Sequence, residues 1–348
     1  MTLSPADRLA ARDALLEAHG WAPEQAAPLA GDASARKYLR LSDGARRAVL
    51  MDADPGAGED VRPYIASTAA LRARLLNAPE VLAADEGAGF LLVEDLGDAL
   101  FARVCAADPA AETPLYAAAV DALAHLHESG APTPEDRATF APYDMSVLLR
   151  EARLAVDWRL PALSTDLAAE YEALCRAAFA PAAEGEDQLV LRDYHAENLI
   201  WLPERTGHAR VGLIDHQDML VGRPAYDLVS LLEDARRDTS AALRDAMTDR
   251  YCAARGMDAA AREAFGTQCA LLAAQRNLKI VGIFARLCLR DGKPKYVDLI
   301  PRVWGHLGRD LSHPALADLR AFVMRHLPPP DAEAREALKA RAGTGVPA

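Results

Sequence analysis

Asp193, Asn198 and Asp215 are the residues whose types and spacing carry the clearest chemistry. Asp193 stands in the run Leu191-Arg192-Asp193-Tyr194-His195-Ala196-Glu197-Asn198, directly after an apolar stretch. Arg-Asp, four residues and then Asn is the order of a phosphoryl-transfer loop. In such a loop the aspartate accepts the proton of an attacking hydroxyl, and the asparagine ligates a cation that bridges nucleotide phosphates. Asp215 follows 17 residues after Asn198, at the end of Val211-Gly212-Leu213-Ile214, and supplies a second carboxylate for the same ion. Oxygen ligands of this kind suit Mg²⁺.

These side chains need elements to hold them. The segments QLVLRDYHAENLIWL and ARVGLIDHQDML place short apolar strands with charged ends inside an otherwise helical region. Upstream, Ser4-Pro5 with Asp7 reads as a capped helix start, so a first helix is expected over about 5–19. From Gly31 to about Asp52 the period changes to strand, with ARKYLRL and RRAVLMD joined through Asp43-Gly44 as a hairpin. A helix is expected over 61–77 and strands near 81–84 and 89–94. Helical patterns dominate after Asp98, beginning with TPLYAAAVDALAHLHESG and continuing to about 325. This organisation gives an α+β protein with lobes at 1–95 and 96–330, followed after Pro328-Pro329-Pro330 by a loosely ordered tail, 331–348, with a frayed helix.

Composition removes several classes. With 348 residues, 39 basic against 51 acidic side chains and a net charge of −12, the chain is long enough for about two domains and repels polyanions, so nucleic acid is not an expected partner. At 51% hydrophobic residues it should fold rather than remain disordered. No window suits a membrane span, and the charged N-terminal twenty residues lack the apolar core of a secretory signal, which points to the cytoplasm. Five scattered cysteines offer neither a disulfide framework nor a zinc site, and His125, His127 and His216 read as structural.

The segments RDYHAENLIWL and VGLIDHQDMLVGRPAYDLVSLLEDARRD together resemble the aminoglycoside phosphotransferase family of small-molecule kinases. The forms R-D-Y-H-x-x-N-L-x-W-L, I-D-x-Q-D and Y-D-L-x-S-L-L-x-D-A-R look like its branch of amino-sugar kinases from cell-wall recycling. The resemblance implies a protein-kinase-like two-lobe fold, with a small antiparallel-sheet N-lobe, a mostly helical C-lobe and ATP with Mg²⁺ between them. It also implies transfer to the anomeric (C1) hydroxyl of an N-acetylated amino sugar. Asp193 matches the catalytic base, Asn198 and Asp215 the metal ligands, His195 the loop's second histidine and Asp227 a structural aspartate. Gly31, Asp32 and Ser34 match the phosphate-covering turn, and Glu94 and Leu96 lie in the segment where backbone groups would hold adenine.

One departure stands out. The third strand of kinases carries a lysine that holds the α and β phosphates, and here RRAVLMD places Met51 there. Lys37 is the only lysine in the first 278 residues and is the expected substitute, with Glu59 or Asp60 as its acidic partner; Arg36 points to the opposite strand face. For the acceptor, Arg276, Asn277 and Lys279 share one helix, with Gln275 and Lys279 four apart on one face, and would pair with a sugar carboxylate. Trp158 would stack on the sugar ring, near Glu151 and Asp157 in a segment that resembles the family's acceptor cleft. The rival readings are another hydroxyl acceptor (an aminoglycoside, choline, homoserine or an unacetylated sugar) and a nucleotide-binding scaffold without turnover.

Overall fold

The structure is a computed structural model that describes residues 3–29, 36–160 and 163–345. It divides into two compact units, Met1–Ala122 with Glu197–Met219, and Leu123–Ala196 with Leu220–Ala348. The lobe boundary expected near residue 95 therefore falls inside the first unit, which also takes in the strands around Asn198 and Asp215.

In the first unit, α1 (Pro5–Ala18) starts where Ser4 Oγ accepts the amide of Asp7. The sheet contains β1 (Ala26–Pro28), β2 (Lys37–Ser42), β3 (Arg47–Asp52), β4 (Val81–Asp85) and β5 (Phe90–Glu94), antiparallel throughout in the order β1-β2-β3-β5-β4. The alternation of side chains across a strand gives this sheet two apolar faces. On one, Leu39, Leu41, Leu50 and Phe90 pack with Leu16 of α1 and Trp21. On the other, Tyr38, Met51, Leu91 and Val93 pack with Tyr64 and Ile65 of α2 (Arg62–Ala73). The chain then forms α3 (Phe101–Ala107) and α4 (Glu112–Glu128), within which the unit boundary falls.

The second unit is largely helical: α5 (Pro134–Thr139), α6 (Met145–Arg159), α7 (Thr165–Phe179), α8 (Ala225–Leu232), α9 (Ala241–Ala254), α10 (Ala259–Leu289), α11 (Ile300–Asp310), α12 (Ala317–His326) and α13 (Ala332–Ala340). Helix α10 lies against α6, α8 and α11. At the α6 crossing Gly282 lets the backbones meet, since a Cβ there would sit 2.2 Å from the carbonyl carbon of Leu154. The C-terminal segment is more structured than its composition suggests. Asp331 caps α13, and the amides of Gly343 and Gly345 donate to the carbonyls of Cys288 and Leu289. No helix among the described residues is long and apolar enough to cross a membrane.

Candidate active site

Two small antiparallel ladders set the candidate residues in place. In the second unit β6 (Gln188–Val190) pairs with β9 (Leu220–Gly222), and in the first β7 (Leu199–Trp201) pairs with β8 (Val211–Leu213). Asp193 follows β6 by three residues, while Asn198 precedes β7 and Asp215 follows β8 by two.

In the second unit, the loop after β6 is fixed from below by Asp227 of α8. Its carboxylate is fully buried and accepts the amides of Leu191 (2.7 Å) and Arg192 (2.8 Å). Ser230, one turn on, donates its hydroxyl to the Arg192 carbonyl at 3.0 Å. Arg192 itself adopts the left-handed conformation, with φ of 68°, which a non-glycine residue enters only at a cost. Its guanidinium donates to Glu151 of α6 at 2.5 Å. Glu151 also accepts from Lys279 Nζ (3.1 Å), from Gln275 Nε2 (3.3 Å) and from the Tyr143 hydroxyl. Lys279 in turn donates to the Tyr226 hydroxyl at 3.2 Å. Burial works to raise the Asp193 carboxyl, but its cationic neighbours, Lys279 foremost, outweigh it and hold the group below the ordinary carboxylate value. Asp193 is thus ionised at neutral pH, as a proton acceptor must be.

His195 is buried, with Nε2 at 3.4 Å from Arg236, and burial lowers its pKa to about 4, so its ring is neutral at physiological pH. Arg276 and Asn277 are committed to protein partners. Arg276 donates to Ser230 Oγ (3.0 Å) and the Glu233 carbonyl (3.2 Å), and Asn277 Nδ2 to Glu233 (2.7 Å) and Asp310 (2.9 Å). The reason lies in the position of α10. A helix covered on several sides turns successive side chains about 100° apart toward different neighbours, so Gln275 meets α6, Arg276 meets α8 and Asn277 meets α11. Of Arg276, Asn277 and Lys279, Lys279 is the one that reaches Glu151 in the charged cluster at the loop. Trp158 is half-buried on α6, two turns from Glu151 or about 10 Å along the axis.

In the first unit, the β7 and β8 ladder continues one step beyond its strands, with the Ile214 amide donating to the Asn198 carbonyl at 3.1 Å. This brings Asn198 Nδ2 to 3.5 Å from Asp215 Oδ2. Asp215 adopts φ of 56°, and its other oxygen accepts from Gln217 at 2.8 Å. His216 anchors the loop onto α2, its Nε2 at 2.8 Å from Thr68 Oγ1 and its ring 4.6 Å from that of Tyr64. Among the described residues no group of three or more His, Cys, Asp or Glu forms a metal cage. An amide oxygen and a carboxylate at one hairpin end nevertheless fit Mg²⁺, which takes one or two protein oxygens and completes its shell with water and phosphate.

Leu96 is buried with Ile200 and Leu202 and packs over Gly212, where a Cβ would lie 2.8 Å from Leu96 Cδ1. The Glu94 carboxylate is held by Arg205 at 2.7 Å. Gly31, Asp32 and Ser34 lie outside the described residues. Lys37 is exposed and shares its strand face with Leu39, Leu41 and its cross-strand partner Asp52, the face covered by α1, whose Arg8 reaches Asp52 at 2.7 Å. The expected acidic partners are engaged elsewhere, Glu59 by Arg36 and Asp60 by Arg62, each at 2.7 Å.

This fold and loop pattern define a kinase-like phosphotransferase. The phosphotransferase enzyme family model matches residues 25–263, and the chain belongs to that family. It is 42% identical to the N-acetylmuramate/N-acetylglucosamine kinase of Caulobacter vibrioides over 94% of this chain and 99% of that protein. To the protein of the same name from Pseudomonas aeruginosa it is 34% identical, over 88% and 90%. A choline/ethanolamine kinase family protein from Mesorhizobium loti, 17% identical, shares the fold with a TM-score of 0.58 over 91% of this chain and 99% of that one.

Proposed function

We propose that this chain is an ATP-dependent kinase that phosphorylates the anomeric hydroxyl of N-acetylmuramate and N-acetylglucosamine in cell-wall recycling. The observation that carries the chemistry is Asp193, kept ionised beside Lys279 on a loop pinned by Asp227. The acceptor follows from the relatives' names, borne over nearly the whole chain. Residues 1–95 serve as the nucleotide-binding lobe, 96–330 as the catalytic and acceptor lobe, and 331–348 as an accessory tail.

Asp193 orients the acceptor hydroxyl and takes its proton as the oxygen attacks the γ-phosphorus in line, the bond from that phosphorus to ADP breaks and ADP leaves. Lys279 stabilises the charged carboxylate before that transfer, and its ammonium is the candidate contact for an acceptor carboxylate. Asn198 and Asp215 would hold the divalent cation. When bound, that ion would neutralise charge on the bridging phosphate oxygens. The cations around Asp193 favour anionic or neutral acceptors and disfavour polycations such as aminoglycosides. The five cysteines are free thiols, as the reducing cytoplasm would keep them.

Phosphorus NMR of the protein with Mg-ATP and a panel of N-acetylmuramate, N-acetylglucosamine, glucosamine, kanamycin and choline tests this. An anomeric phosphate on the N-acetylated sugars is expected. Transfer only to choline or kanamycin would refute the acceptor, and ATP binding with no transfer would favour a scaffold.

A further inference from the structure

The nucleotide reading requires a fixed cation for the phosphates, since three or four negative charges arrive together. Met51 leaves the usual third-strand position apolar, buried with Tyr38, Val61 and Tyr64. The register locates what stands nearest. Tyr38 lies directly opposite Met51 across β2 and β3, and Lys37 opposite Asp52. Alternation then sets Tyr38 and Met51 on the face that α2 covers, and Lys37 on the face that α1 covers. One residue before β2, Arg36 donates Nε to Glu59 at 2.7 Å, and both side chains are largely shielded, at 15% and 17% exposed. Glu59 lies three residues before α2. The same helix ties down the Asp215 loop through Thr68 and Tyr64. The charge of Asp215 is felt at both Arg36 and Tyr38, which places the pair within electrostatic reach of the candidate metal ligand.

We infer that Arg36, held by Glu59, is the phosphate-binding cation of this enzyme, displaced from the third strand to the residue that leads into the neighbouring strand. The assignment rests on the nucleotide reading above and names a residue that reading leaves open. Arginine suits the task. It stays charged at any accessible pH, its planar fork matches phosphate oxygens, and Glu59 together with the Tyr38 hydroxyl orients it. A lysine engaged by Glu59 in the same way would offer a point charge with fewer directed donors. Lys37 lacks both requirements, having no acidic partner on the α2 face and pointing toward α1.

The test is nucleotide affinity rather than turnover, measured by calorimetry on the full chain with MgCl₂, comparing ATP, ADP and adenosine. Arg36→Ala and Arg36→Gln should each weaken ATP about 10- to 100-fold while leaving adenosine within twofold, because adenosine carries no phosphate. Arg36→Lys should fall between wild type and Arg36→Ala, Glu59→Gln should give a smaller loss, and Lys37→Ala should bind ATP as wild type does. Circular dichroism of each variant identifies a folding defect, which would weaken ATP and adenosine alike. ATP affinity unchanged in Arg36→Ala and Arg36→Gln overturns the inference, as does a loss confined to Lys37→Ala. If the wild type binds adenosine and ATP equally weakly, the nucleotide reading itself fails, and that result is visible before any variant is made.

Discussion

Asp227→Asn probes how the catalytic loop is held, and its signature is a pH dependence. Burial inside α8 pushes the Asp227 carboxyl from its ordinary 3.8 up to about 7, against the opposing pull of the Leu191 and Arg192 amides. The native state therefore keeps this proton up to about pH 7, whereas the unfolded chain releases it near pH 4. Between those values the native state binds more protons, so this group's contribution to stability falls as pH rises and levels off above 7. At about 1.4 kcal/mol for each pH unit, the window amounts to about 4 kcal/mol as an order of magnitude. Asparagine removes the titration and leaves one acceptor oxygen for two amides, a constant cost of about 1–3 kcal/mol for the amide that loses its partner. Urea unfolding followed by circular dichroism from pH 4.5 to 8.5 should show wild type ahead at low pH. Its advantage should shrink steadily and vanish or reverse near neutrality. Parallel curves would refute the reasoning and show that Asp227 stays ionised throughout, held by its two amides.

Further outcomes follow from the same contacts. Asp193→Asn should lower kcat about a hundred- to ten-thousand-fold while calorimetry finds ATP affinity within a few-fold of wild type; retained turnover would remove Asp193 as the base. Burial and Arg255 lower His127 to about 3, so it is neutral in the native state, and stability should fall as pH drops below about 6.5. His127→Gln, which keeps a partner for the Tyr251 hydroxyl 2.7 Å away, should flatten that slope by up to about 1.4 kcal/mol per pH unit in thermal melts at stepped pH. Gly282→Ala should destabilise by about 3 kcal/mol in urea titrations, because its Cβ would meet the Leu154 and Ala155 backbone at 2.2–2.6 Å and neither helix can yield locally.

Much of this was legible in the sequence where one physical signal dominated. The β2 and β3 hairpin follows from alternation around Asp43-Gly44, and the start of α1 follows from Ser4-Pro5. The helix expected over 61–77 ends earlier, at Ala73, because Leu75 turns left-handed with φ of 60°. Helix α10 was harder to read. Its polar residues 275–279 look like one functional face, and only their three-dimensional neighbours show that Arg276 turns to α8 and Asn277 to α11 while Gln275 and Lys279 converge on Glu151. Lys37 is rare in composition, but rarity carries no facing; Leu39 and Leu41, two and four residues on, mark its face as the one that packs on α1. In the tail the helix start at Asp331 is a local cap, whereas the ion pair of Lys339 with Asp298 at 2.6 Å joins residues about forty apart and has no local signature.

The loop that carries Asp193 shows what arginine does at position 192, in a conformation that favours glycine. Glycine would enter the left-handed conformation without cost, whereas arginine carries about 1–2 kcal/mol of strain there. That strain is offset by what the side chain does. Its ion pair with Glu151 ties the loop to α6, just as Asp227 and Ser230 tie the same residue's backbone to α8. Lys279 on α10 meets the same Glu151, so three helices converge on the residue before Asp193. A single buried carboxylate thus fixes the loop's position and, by holding Lys279 in place, the ionisation of Asp193. Loss of Glu151 would remove the carboxylate that Arg192 and Lys279 share and leave Asp193 facing both cations, which makes Glu151 a positioning residue whose removal disturbs geometry and charge together.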